Sequence, residues 1–393
     1  MNVNNISDSE ASLARRTLGF TLQNIFKPIL QIILFILCSI LFLSFIVIFL
    51  ALILRGSHTE IDLLNNVLVI LPQVIIDGLV RGFLFATIAL GYTMVYGVLE
   101  FINFAHGEIF MVGAFTGAGF ASILNHFGFL KGFPAIPFLI ISLLLGMFVS
   151  GSLALLTERI AYRRLRNAPR LVPLISALGV SLLLQDLMRM IVTATGLGFN
   201  TSYRTPDMGK PWQIAKFIIP DGRQAVMSID SRSLNFIIAA MIMLIGLNYL
   251  VSATKLGKAI RAVAEDRHTA SLMGVNVNQI ISLTFLIGGA LGGAAGVLFG
   301  IRVGTIDPYI GFLNGLKAFT AAVLGGIGNI TGAMVGGILL GFLEAFVASY
   351  LSLFTNGEFA GANYADITAF SILILILIFR PAGLLGETVA QKV

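Results

Sequence analysis

KLGKAIRAVAEDRHTASLMGVNVNQ, residues 255–279, is a charged island in an oily chain. It lies between two strongly apolar stretches, Leu234–Ala253 and Ile280–Ile301. From Lys258 to Met273 it holds helix formers and no Pro, and Ile260, Val263 and Ala264 recur at i, i+3, i+4 to define one apolar face. Arg261 and Glu265, four apart on the other side, suit a weakly favourable pair. Gly257 stands before the helix, and Gly274 stands where a C′ glycine would end it. The expectation is one short amphipathic helix at a membrane surface, tethered by a spanning helix on each side. Such a helix is either a solvated connector or a lever that another protein grips.

Composition sets the solvent. Of 393 residues, 57% are hydrophobic and 11% charged, and the mean hydropathy is +0.95. That excludes a soluble domain and predicts an all-α polytopic membrane protein in contact with lipid. Forty-two glycines suit close helix packing in a bilayer. The net charge of +6 comes from basic residues scattered among loops, so it is no nucleic-acid signal. The single cysteine, Cys38, lies in an apolar run, which excludes an intrachain disulfide. No GxxxxGK[ST] is present, so the chain carries no P-loop ATPase.

Taken in order, residues 1–27 read as a polar cytosolic tail, and 28–76 as an extra N-terminal anchor and connector. Within the latter, Ile29–Leu54 is a charge-free run expected to be a retained span, and the piece from Arg55 to Ile76 a weakly amphipathic connector on the outer surface. Residues 77–393 form the main domain. Its spans are expected at Gly78–Leu99, Phe101–Leu124, Pro134–Thr157, Leu171–Thr195, Leu234–Ala253, Ile280–Ile301, Ala333–Leu351 and Ala365–Phe379. That makes eight to nine transmembrane helices with two broken or re-entrant elements, around Glu100–Gly107 and Gly325–Gly332. With the N-terminus inside, the cytosolic pieces 1–27, 158–170, 254–279 and 380–393 hold 14 Lys and Arg against 9 outside, Arg81 and Arg189 falling within spans. The sign agrees with the positive-inside rule and places both chain ends in the cytosol.

Three polar features are exceptional in this setting. Asn103, His106 and Glu108, in INFAHGE, cannot face lipid cheaply, since a central charge costs at least ~2.5–3.5 kcal/mol on insertion scales. They are either a structural turn or, with Asn329 of the GNITG turn, the lining of a translocation pathway or gate. His-x-Glu alone is too few ligands for a metal. Gly288, Gly292, Gly296 and Gly300 recur every four residues and form a continuous helix-packing face. Asp186 and Arg189, three apart, can pair; Arg81 is placed to snorkel, and Glu344 reads as a polar contact in a late span.

Taken together, GYTMVYG (91–97), INFAHGE (102–108), AEDRHTASLMGVN (264–276), DPYIGF (307–312) and KAFTAAVLGGIGNITGAMVGG (317–337) resemble the LivH-type permease of branched-chain amino-acid ABC importers. The resemblance runs from about Gly78 onward and leaves the first ~75 residues unexplained. It implies a non-enzymatic membrane subunit with no cofactor of its own, ATP being bound by partner subunits. The implied partners are a LivM-like second permease, LivG/LivF-like ATPases and a periplasmic or lipid-anchored amino-acid-binding protein at the bacterial inner membrane. Ala270-x-x-x-Gly274, following an acidic patch, resembles the loop that docks onto the ATPases, although His268 and Thr269 stand where the usual Glu and first Ala would be. That assigns coupling to Arg261, Glu265, Asp266, Arg267, Ala270 and Gly274 within 254–279. Urea and short-amide permeases share an INxAHGE-like turn and remain an alternative. A stand-alone secondary transporter would leave the charged island without a purpose, and an intramembrane enzyme using His106 and Glu108 lacks a recognisable nucleophile.

Overall fold

The computed structural model describes residues 27–54, 63–99, 101–166, 168–169, 171–218, 222, 224–355 and 357–386. Most of the polar tail, the first part of the connector and Glu100 lie outside these. Apolar runs removed from water must satisfy their backbone groups internally, so they fold as helices. Among the described residues these are α1 (Lys27–Leu54), α2 (Leu63–Leu99), α3 (Ala105–His126), α4 (Ala135–Thr157), α5 (Leu171–Thr195), α6 (Ser231–Ala253), α7 (Lys255–Glu265), α8 (Arg267–Leu272), α9 (Val277–Val303), α10 (Ile310–Gly325), α11 (Ile330–Phe354) and α12 (Gly361–Phe379). Nine of them are long and apolar enough to cross a membrane. The chain is a polytopic all-α membrane protein.

The described part of the connector is not a separate surface segment. Residues 63–76 are the first turns of α2, which runs unbroken for 37 residues with Pro72 inside it. The boundary expected at residues 76/77 therefore falls within one helix. Leu63, Val67, Val74 and Ile76 are buried, so tertiary packing overrides the weak local pattern. Helix α1 lies against α2 and α11, burying Leu43, Val47 and Ala51 at four-residue spacing.

Helix α9 is the centre of the bundle, buried along most of its length and packed on α2, α3 and α4. Its glycines let backbones approach. Gly288 faces Gly91 of α2, Gly292 faces His106, Gly296 sits on the α3 backbone at Phe110, and Gly300 sits on the Tyr203 ring. Gly289 and Gly293 make a second face against Ser150 and Gly146 of α4. A comparable seam joins α2 to α11, with Gly82 and Ala86 against Gly341 and Gly337.

Both expected interruptions are present. The first separates α2 from α3, the second separates α10 from α11, and Gly97 faces Gly328 across them. Helix α10 has 16 residues; at ~1.5 Å each it is ~24 Å long, short of a ~30 Å hydrocarbon core. Its final carbonyls are sealed by the C-terminal segment, as the amides of Leu384 and Leu385 donate to Leu324 and Gly325. Between α5 and α6 the chain forms three short strands: β1 (Thr201–Ser202) pairs with β4 (Thr305–Ile306), which follows α9, and β2 (Trp212–Ile218) pairs with β3 (Gln224–Ile229), both antiparallel. The hairpin leans on α2, where Gln73 accepts from the Ser228 amide at 3.3 Å. It lies at the end of the bundle opposite α7 and α8.

Candidate functional site

The charged island folds as two helices, not one. Asp266 has extended backbone, φ −155° and ψ 110°, and breaks the expected helix between α7 and α8. Its Oδ1 accepts from the amides of His268 (2.8 Å) and Thr269 (3.2 Å), and its Oδ2 from the Thr269 hydroxyl. Three donors on one exposed carboxylate, the Thr269 hydroxyl foremost, hold it below the usual carboxylate range. An N-cap signal inside an otherwise helical pattern was the readable cue.

At the start of α7 the Thr254 hydroxyl accepts from Gly257. Gly257 lies within α7 rather than ahead of it, and a side chain there would run into the Leu250 and Val251 carbonyls. Arg261 donates to the Val251 carbonyl and not to Glu265, which is exposed, so the expected pair does not form. Ile260 and Val263 are buried as the apolar spacing predicts. At the far end Gly274 has φ +83°. The Gly274 amide donates to Ser271 and the Val275 amide to Ala270, the paired bonds of a Schellman motif. Arg267 donates to the Val98 carbonyl at 2.7 Å and so ties α8 to the end of α2.

The result is a capped elbow with a free apolar tip: Leu272 is 75% exposed and Met273 80%. Beside it a cavity of about 440 Å³ is bordered by Phe101, Arg166, Glu265, Asp266 and His268. The basic run after α4 is anchored here. Buried Glu158 receives Arg166 and Arg163 and accepts from Ser282 of α9 at 2.6 Å. Burial pushes the Arg166 guanidinium down, and Glu158 opposes that shift.

The INFAHGE residues fold into the opening of α3. The His106 amide donates to the Asn103 carbonyl at 3.1 Å. Asn103 Oδ1 accepts from the Tyr162 hydroxyl at 2.8 Å. Glu108 is fully buried, and its Oε1 accepts from Gln185 (2.8 Å) and Ser181 (3.1 Å) of α5. The His106 ring meets the Tyr92 ring edge-on at 4.6 Å. Asn103 Nδ2, His106 Nε2 and Glu108 Oε2 are buried without a partner. Asn329 joins this region only through its turn: it caps α11 by accepting from Gly332 (3.0 Å) and donates to Leu385 (2.9 Å). Among the described residues no three His, Cys, Asp or Glu side chains are grouped to hold a metal ion.

A second polar cluster, built round buried Lys317 and Glu344, has no signature in any short stretch. Arg81 does not snorkel; it pairs with Glu344 at 3.2 Å. Lys317 pairs with the same carboxylate at 2.8 Å and with Asp366 at 2.5 Å. These four residues come from α2, α10, α11 and α12, and no short motif contains two of them. Asp186 and Arg189 do pair, at 3.0 Å, on the exposed side of α5.

With this geometry in place, comparison with known proteins is decisive. The family model described as branched-chain amino acid transport system / permease component matches residues 74–378. The chain belongs to this permease family. BraD of Pseudomonas aeruginosa, a high-affinity branched-chain amino acid transport system permease protein, is 39% identical over 323 residues, covering 82% of this chain and 97% of BraD. LivH of Escherichia coli K12, described in the same words, is 37% identical over 321 residues, with 82% and 97% covered. The permease match begins inside α2, so α1 and the first turns of α2 precede it.

Proposed function

We propose that the chain is the membrane subunit of an ATP-driven importer that moves branched-chain or other neutral apolar amino acids across the bacterial inner membrane. Its partners are a LivM-like second permease, LivG/LivF-like ATPases that bind and hydrolyse the ATP, and a periplasmic or lipid-anchored binding protein. Both chain ends and the α7–α8 elbow face the cytosol in this reading, and the β2–β3 hairpin faces outward. Residues 254–279 couple the motor to the spans, with Arg261 and Arg267 fastening the elbow and Glu265, Asp266, Ala270 and Gly274 shaping its grip. Asn103, His106, Glu108 and Asn329 line or brace the gate between the two interrupted elements.

The observation that carries this reading is the elbow: an apolar tip, capped at both ends and hydrogen-bonded to α2 and α6, leaves the bundle with nothing among the described residues to cover it. A rigid lever transmits displacement; a frayed loop would dissipate it. The chain's contribution is then a differential preference of two conformations for partner states. The test is Glu265→Lys with Asp266→Lys. Uptake by the reconstituted complex is expected to be abolished while membrane insertion is retained. Wild-type uptake together with wild-type ATPase co-purification would sink the lever. Competition with leucine, alanine and urea then sorts the substrate classes.

A further inference from the structure

Between α2, α9, α10 and α11 lies a cavity of about 370 Å³, within the ~300–1,000 Å³ range of small-molecule sites. Its polar wall holds Arg81, Arg302, Lys317 and Glu344, and its apolar wall is dominated by Phe85 and Phe299. Arg302 sits in the last turn of α9, at the end away from the elbow. It makes no hydrogen bond or ion pair among the described residues; the carboxylates that influence it, Asp77 and Asp230, act at longer range. Glu344 is 4% exposed, with Oε1 taken by Lys317 and Arg81 and Oε2 buried without a partner. A cation with no direct hydrogen bond or ion pair among the described residues and a carboxylate with one oxygen unbonded therefore border one small space.

We propose that this cavity is a transient seat for a zwitterionic apolar amino acid. The α-carboxylate meets Arg302, the α-ammonium reaches the unbonded oxygen of Glu344, and the hydrocarbon side chain lies on Phe85 and Phe299. A lone anion would face Glu344, and a lone cation would face three basic side chains. A zwitterion satisfies both signs at once and brings no net charge into a low-dielectric space, where an unpaired ion is most costly. The seat also separates two tasks within the permease. The elbow takes force from outside the bilayer, and the cavity, far from the elbow along α9, is where the cargo pauses. This deepens the importer reading and rests on it.

The test uses the full chain reconstituted with its partner subunits, and Arg302→Met as the variant, since Arg302 holds no hydrogen bond or ion pair among the described residues. Loss of one charge-assisted contact is expected to slow leucine uptake by about tenfold or more, with ATP hydrolysis stimulated by the loaded binding protein unchanged. Arg302→Lys is expected to restore part of the uptake. On the purified full chain, saturation-transfer NMR is expected to show L-leucine bound to wild type. It should show much weaker signals for 4-methylpentanoate, which lacks the ammonium, for 3-methylbutylamine, which lacks the carboxylate, and for L-leucine on Arg302→Met. Wild-type leucine uptake by Arg302→Met, or equal binding of the three probes, would overturn the seat and leave the importer reading standing. Absence of ATP-dependent amino-acid uptake in the wild-type complex would overturn both.

Discussion

Of the three glutamates buried among the described residues, Glu158, Glu344 and Glu108, the last two are held in opposite ways. Glu344 is surrounded by cations, Lys317 at 2.8 Å and Arg81 at 3.2 Å. Glu108 pairs with no cation among the described residues; its partners are the amide of Gln185 and the hydroxyl of Ser181. Removing one member of a buried ion pair strands the other charge, which costs about 3–5 kcal/mol. Removing a neutral hydrogen bond costs about 0.5–1.5 kcal/mol net. The comparison teaches that equal burial does not mean equal weight: one site is an ionic staple across four helices, the other a soft polar joint between α3 and α5.

The largest expected effect breaks or keeps that contrast directly. Glu344→Gln should destabilise the purified permease by about 3–5 kcal/mol in a chemical unfolding series. Glu108→Gln keeps an acceptor oxygen for Ser181 or Gln185 and should cost about 1 kcal/mol. Similar losses in the two variants would mean that Glu108 carries a charge partner in the folded protein, and the distinction would fail.

The same two sites show what a sequence can and cannot disclose. Asn103, His106 and Glu108 stand within six residues, so their joint burial was readable from one apolar stretch with polar letters in it. Arg81, Lys317, Glu344 and Asp366 are scattered over 286 positions; only the packing of α2 on α11 and of α10 on α12 brings them together. Arg81 read as a snorkelling side chain because its partner was invisible at that range. The spans themselves were legible within a few residues, because a membrane leaves little choice of backbone structure. The exceptions are instructive. The turns at 63–76 belong to α2 because Leu63, Val67 and Val74 find a core, which no local pattern reports. The break at Asp266 is hidden in a run of helix formers, because its capping role depends on the amides of His268 and Thr269 and leaves the apolar spacing unchanged.

A middle-sized effect sharpens the role of the glycine face beside His106. A methyl on Gly296 would collide with the Phe110 carbonyl and the Ala114 amide, both backbone, so Gly296→Ala should cost about 1–3 kcal/mol of overpacking. A methyl on Gly292 would meet only side chains, the His106 ring at 3.4 Å and Ile109 Cγ2 at 3.9 Å. Gly292→Ala should be close to neutral, since replacing a mid-helix glycine by alanine returns about 0.5–1 kcal/mol. Thermal unfolding of the two single variants checks the order. Equal losses would show that the face is one rigid seam in which contact with backbone or side chain makes no difference.

The smallest effect extends the comparison to a third carboxylate. Asp266 is served by the same kinds of donor as Glu108, a hydroxyl and amide N–H groups, but it is exposed. In water those bonds, the Thr269 hydroxyl first, favour the charged form and outweigh a smaller opposing desolvation, and its ionisation lies below the ordinary value of about 3.9. Because the folded value is the lower one, the stabilisation of α8 is fully present above the ordinary value. It is lost as pH falls through the folded value. Amide hydrogen exchange at His268 and Thr269, corrected for intrinsic rate, should therefore stay protected from neutral pH down to about 4 and loosen below that. Asp266→Ala should show the loosened pattern at neutral pH and no further acid transition. Asp266→Asn, which keeps an acceptor but cannot ionise, should retain partial protection that does not titrate. Acid loosening that survives in Asp266→Asn would place the responsible proton on another group and leave the cap as a hydrogen bond whose charge is irrelevant.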